Sequence, residues 1–262
     1  MVKKLTAIAM ALVLFHGLAL AGITTRVVDT PTRPAVTVRS VAILPAEPKA
    51  AVILLAGGDG GLLIFPGGAI GRLDGNFLIR SRKLFADQGI ATVVVDAPSD
   101  RMRPPYLAGF RTTDEHARDL GAVVDWLAQE TNRKVWLVGT SRGTLSAAFA
   151  GLRLQENPRL AGIVLTSSIL VDASSPPVPA MPLETFGLPV LVVHHDQDSC
   201  HLTHFSDLQR LTDKLPKAVA TKVMVFSGGV SSGDPCQARA YHGYNGLEAD
   251  VVAQIARWVT SN

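Results

Sequence analysis

Short apolar runs alternating with helix-length amphipathic stretches constrain this chain more than any other feature. Residues 51–56, 90–95, 134–138, 160–165, 188–193 and 222–226 are apolar almost throughout and too short to be helices. That is the pattern of strands buried on both faces. Strand and helix in alternation predict an α/β fold built on a mostly parallel, doubly wound sheet. Ahead of it, 23–28 and 36–44 read as an antiparallel hairpin at the sheet edge. The stretch 113–128 puts Leu120, Val123, Val124 and Leu127 on one helix face and opens with Thr112-x-x-Glu115, the form of a capping box. A final helix over 246–259 gathers Leu247, Val251, Ile255 and Trp258. The 262 residues suffice for one large domain, and neither an internal repeat nor a long linker divides 22–262. The Pro-rich piece 171–187 is too short to form a large cap.

Residues 1–21 stand apart. Lys3 and Lys4 precede an apolar run ending in Ala19-Leu20-Ala21, the small-x-small form of a signal-peptidase site. Export to the periplasm or beyond is therefore expected. The run is short for a membrane anchor and is interrupted by His16 and Gly17. Without it the chain carries 23 basic and 22 acidic side chains. No Lys/Arg stripe remains that would suit nucleic acid. Cys200 and Cys236 are the only cysteines, and an even count in an exported chain predicts a disulfide.

The strand at 134–138 leads into Gly139-Thr140-Ser141-Arg142-Gly143, then into small, helix-compatible residues from Thr144 onward. A Gly-x-Ser-x-Gly turn between strand and helix is the form of a nucleophile elbow, in which glycines let the helix pass close to the strand. A serine hydroxyl needs a base, and the base needs a carboxylate to set its tautomer. Asp196 and Asp198 follow the strand at 188–193, Asp172 follows the one before it, and His242 lies in the loop before the last helix.

In element order, motif and the sequence of nucleophile, acid and histidine, the mature chain resembles the α/β-hydrolase superfamily, in its carboxylesterase and dienelactone-hydrolase-like branch. The resemblance implies Ser141 as nucleophile and His242, followed by Gly243 and Tyr244, as base. It implies Asp198 as acid, three residues beyond the position held here by His195, where the family often has glycine; Asp172 is the fallback. For the oxyanion it implies backbone N–H groups from Arg142 and from Gly57 or Gly58 in "AGGDGG". Chemistry of this kind requires no cofactor and no metal.

Cys200 lies two residues after Asp198 and Cys236 six before His242. Their bridge would tie the acid loop to the histidine loop and contribute about 4 kcal/mol on the chain-entropy model. His194, His195, His201 and His204 cluster in "HHDQDSCHLTH", but their spacing matches no metal-binding pattern. Leu62 to Phe65, apolar on a Gly-rich loop, are candidates for a pocket wall. Arg101, Arg103 and Arg111, in the loop after the strand at 90–95, read as solvated loop charges, the alternative being a place near the pocket rim that would favour acidic substrates. The function expected is hydrolysis of a small-molecule carboxylic ester through an acyl-enzyme on Ser141. Peptidase, amidase or thioesterase activity on the same scaffold is the alternative, and a non-catalytic binding protein the rival from another class.

Overall fold

The computed structural model describes residues 22–262, so the expected signal peptide lies outside the described residues. Eight strands form one sheet: β1 (Ile23–Arg33), β2 (Val36–Pro45), β3 (Ala50–Leu55), β4 (Ile90–Pro98), β5 (Val135–Thr140), β6 (Leu160–Thr166), β7 (Val190–His195) and β8 (Thr221–Phe226). Their order across the sheet is β1-β2-β4-β3-β5-β6-β7-β8. The hairpin β1–β2 is antiparallel, as is the contact of β2 with β4, and every other pairing is parallel.

Among the described residues, six helices accompany the sheet: α1 (Phe77–Arg80), α2 (Arg82–Asp87), α3 (Asp114–Thr131), α4 (Gly143–Leu154), α5 (Gln209–Thr212) and α6 (Glu248–Ser261). Two-residue periodicity divides each central strand between two cores. Ala51, Ile53 and Leu55 of β3 face a core with Leu120, Val123, Val124 and Leu127 of α3. Ala50, Val52 and Leu54 face the other core, with Phe85 of α2 and Val251, Ile255 and Val259 of α6. Burial of each such large aliphatic side chain contributes about 1.5–3 kcal/mol. The expected face of α3 is therefore the buried one. Its cap is one residue later than expected: Thr113, not Thr112, accepts from the His116 N–H at 3.2 Å.

The connection from β6 to β7 contains only two single 3₁₀ turns, Val178–Ala180 and Leu183–Thr185, so no large cap arises there. Leu62 to Phe65 do not line the cleft that holds Ser141 and His242. Two carboxylate oxygens of buried Asp96 accept the N–H groups of Leu62 and Ile64, each at 2.7 Å. This draws Leu62 and Ile64 into the core beneath the sheet and leaves Phe65 exposed. No helix of the described residues is long and apolar enough to cross a membrane.

Candidate active site

Ser141 sits between the end of β5 and the start of α4 with φ of 52°, a left-handed conformation that costs a non-glycine residue energy. The turn is held from both sides. The Ser141 N–H donates to Thr166 O at 3.0 Å, and the Thr144 N–H donates back to Ser141 O at 2.9 Å. A Cβ at Gly139 would overlap Gly143 O, and one at Gly143 would overlap Leu55 O. Both glycines of the motif are thus required by close backbone approach, as the sequence pattern predicts.

Asp198 and His242 come together from loops 44 residues apart. His242 Nδ1 lies 3.1 Å from Asp198 Oδ2, and both residues are buried. The Cys200 N–H donates to Asp198 Oδ1 at 3.0 Å. Thr203 Oγ donates to Asp198 Oδ2 at 2.9 Å and lies 3.0 Å from His242 Nδ1. With its own proton given to the carboxylate, the Thr203 oxygen presents a lone pair to the imidazole N–H. Asp198 and Thr203 together therefore place the His242 proton on Nδ1 and leave Nε2 free to act as base. Burial acts to raise the Asp198 carboxyl, but hydrogen bonding and charge from His242, with His194 and the Cys200 N–H, outweigh it and hold the group below its ordinary value.

His242 is tethered from behind. Its carbonyl accepts from Ser167 Oγ at 2.8 Å, just beyond β6, and the buried Tyr244 hydroxyl donates to Val193 O at 2.8 Å. His195 stacks on Tyr241 with centroids 4.6 Å apart and bonds Gly228 O through Nε2 at 2.8 Å. It links the acid strand to the histidine loop. The disulfide Cys200–Cys236 joins the same two loops, with Cα atoms 4.6 Å apart.

The other carboxylates lie elsewhere. Asp172 accepts from Arg142 Nη1 at 2.7 Å and from Ser174 and Ser175. Burial opposes ionisation there, but these hydrogen bonds hold its carboxyl far below the usual range. Asp196 faces His195 and Ser227. The four histidines of the cluster are dispersed. His194 Nε2 bonds Thr203 O at 2.7 Å, and His204 bonds Ser206. Only His201 meets the cysteines, at 3.5 Å from Cys236 Sγ, and both thiols are already consumed by the disulfide.

Ser141, His242, Gly57, Gly58 and Arg142 line one open cleft of about 350 Å³, with Leu73, Asn76, Phe77, the disulfide and Gln237 completing its walls. Gly57 abuts Ser141: a Cβ there would come within 3.0 Å of Ser141 Cβ. The N–H groups of Gly57, Gly58 and Arg142 have no protein acceptor among the described residues, so they are available to an oxyanion. No hydrogen bond joins Ser141 to His242 in this structure; such contacts commonly tighten only in the substrate complex. Thr203 and Arg111 escape a reading of the sequence alone. Arg111 is 4% exposed, which corrects its expected role as a solvated charge.

No protein-family model and no curated protein matches the sequence. Solved structures do resemble this one. Dienelactone hydrolase from Anabaena variabilis shares 15% identity over 90% of this chain and 96% of its own, with a TM-score of 0.64. The Pyrococcus furiosus esterase shares 13% over 91% and 93%, with a TM-score of 0.59. An α/β serine hydrolase without lid from Xanthomonas campestris shares 18% over 90% and 95%, with a TM-score of 0.52. The chain accordingly has the α/β-hydrolase fold. Within that fold, its architecture is of the kind seen in the dienelactone hydrolase.

Proposed function

We propose that the protein is a serine hydrolase that cleaves carboxylic esters through an acyl-enzyme on Ser141. The observation carrying this reading is a strained elbow serine sharing a cleft with a histidine whose Nδ1 is held by a buried carboxylate. Ser141 Oγ attacks the ester carbonyl while His242 Nε2 takes its proton. The Asp198 carboxylate stabilises the resulting imidazolium without itself being protonated. The N–H groups of Arg142 and of Gly57 or Gly58 receive the oxyanion. His242 then protonates the departing alkoxide, and water, activated by the same nitrogen, releases the acid.

The open cleft and the short β6–β7 connection favour small, soluble esters of short to medium acyl chain. Lys3, Lys4 and the apolar run behind them support export to the periplasm or beyond. A disulfide beside the site is at home in such an oxidising compartment. The test is a fluorophosphonate probe applied to the purified protein, with the labelled residue located by mass spectrometry, alongside a panel of p-nitrophenyl esters, amides and thioesters. Labelling at Ser141 with preference for esters supports the reading. Absence of labelling removes it, and preference for amides replaces it with a peptidase or amidase.

A further inference from the structure

We infer that Arg111 is the positioning residue that builds the oxyanion hole; this rests on the functional reading above. Arg111 lies between β4 and α3, and its guanidinium is enclosed beneath the loop that follows β3. Nη2 donates to three consecutive carbonyls of that loop: Ala56 O at 2.9 Å, Gly57 O at 3.3 Å and Gly58 O at 3.1 Å. Nη1 donates to Ser146 Oγ at 2.9 Å. One side chain thus grips the oxyanion loop and, on α4, the helix that begins at the elbow.

The geometry has a direct consequence for the N–H groups. In a trans peptide the C=O and the following N–H point in opposite directions. Turning the carbonyls of Ala56 and Gly57 toward Arg111 therefore turns the N–H groups of Gly57 and Gly58 away from it. Those N–H groups are the ones left without a protein acceptor, on residues that line the cleft beside Ser141.

The site matches the two outer nitrogens of the guanidinium, while Nε is buried without a partner among the described residues. Carbonyls supply no negative charge, and no carboxylate is within hydrogen-bonding reach of this guanidinium. A cation with no carboxylate in direct contact, and with Asp59 offsetting only part of the cost of burial, is costly to bury, so its retention here calls for a return. The remaining polar partners form a chain: Ser146 Oγ accepts from Arg111 and shares a hydrogen bond with His116 Nε2 at 2.9 Å. Gly60 leaves room for the fork, since a Cβ there would come within 2.7 Å of Arg111 Nη2. Burial, with Arg142 nearby, lowers the guanidinium to about 9, which keeps it cationic at neutral pH. Its charge lies behind the peptide dipoles that face the oxyanion and reinforces them.

The experiment compares the wild type with Arg111→Lys, which keeps the charge but cannot span three carbonyls and Ser146. Ser146→Ala serves as a second, milder variant that frees only the helix side of the fork. Active sites are counted by fluorophosphonate titration, and backbone hydrogen exchange is followed over residues 56–61. For Arg111→Lys the expected result is kcat per titrated site lower by about 10²- to 10³-fold, the range of losing one oxyanion donor. KM should stay within threefold, and exchange at 56–61 should quicken while the central strands remain protected. Ser146→Ala should move both readouts in the same direction by a smaller factor. Wild-type kcat per site in either folded Arg111 or Ser146 variant, or unchanged exchange over 56–61 in both, overturns the inference. If the wild type itself is not labelled at Ser141, the proposed function falls, whereas the exchange measurement still decides whether Arg111 sets the loop.

Discussion

His242 Nδ1 and Asp198 Oδ2 lie 3.1 Å apart, whereas Asp172 is bound to Arg142 and to two serines of its own loop. The two acids are therefore separable by experiment. Asp198→Asn should lower kcat on a short-chain p-nitrophenyl ester by about 10³- to 10⁴-fold through the wrong imidazole tautomer. Asp172→Asn should stay within tenfold of wild type. The reverse ranking would reassign the acid.

Thr203 shares its hydroxyl between both members of that pair. Replacement by Val removes the donor to Asp198 and the acceptor for His242 at nearly constant volume. A loss in kcat of about tenfold is expected, with KM little changed and Thr203→Ser close to wild type. Equal activity of the Val and Ser variants would mean that Thr203 only fills space.

The sequence makes some of this site legible and hides the rest for a physical reason. Gly139, Ser141 and Gly143 are visible because close backbone approach admits only glycine at two of these positions. Asp198 and His242 are visible because chain order at the sheet's C-terminal edge leaves few candidates. Strands β3 to β7 follow from apolar runs, which report burial directly; the run at 222–226 also forms a strand, but as the sheet's edge β8 it leaves Val223 and Val225 exposed rather than buried. Thr203 and Arg111 carry no such local mark. A threonine in a loop and an arginine after a proline-rich turn look ordinary until distant carbonyls and carboxylates are folded onto them. The same holds for Leu62 and Ile64, whose inward course depends on Asp96, more than thirty residues away. Thr112 and Thr113 compete for one cap, and only the backbone conformation decides between them.

Cys200 and Cys236 close a loop of 36 residues that includes the acid-loop turn and the run up to the histidine loop. Mild reduction should lower esterase activity before it alters the far-ultraviolet circular dichroism, because the central strands are held by their own cores. Simultaneous loss of both signals would show that the bridge supports the whole domain. Thiol titration of denatured, unreduced protein should find no free thiol.

Acid should destabilise the protein earlier than its carboxylates alone would require. Burial, then Arg111 and Arg33, push His116 down to about 3, and burial lowers His194 as well. Both imidazoles take up a proton near pH 6.5 in the unfolded chain. Between about pH 6.5 and 3 the unfolded state therefore binds more protons than the native one, and stability falls as pH falls. The slope is about 1.4 kcal/mol per pH unit for His116, and His194 adds to it in the same direction. Urea midpoints measured from pH 7 to pH 4 should show this decline, and His116→Gln should flatten it. A constant wild-type midpoint across that interval would contradict the assignment.

The backbone at Ser141, with φ of 52°, sets endurance against activity at a single position. Glycine adopts that conformation without penalty, so Ser141→Gly should unfold at higher urea than the parent, by about 1 kcal/mol. Ser141→Ala, which keeps the Cβ and the strain, should gain nothing comparable. A screen rewarding heat resistance alone would then drift toward discarding the proposed nucleophile, so selection on this scaffold must score turnover and durability in the same round.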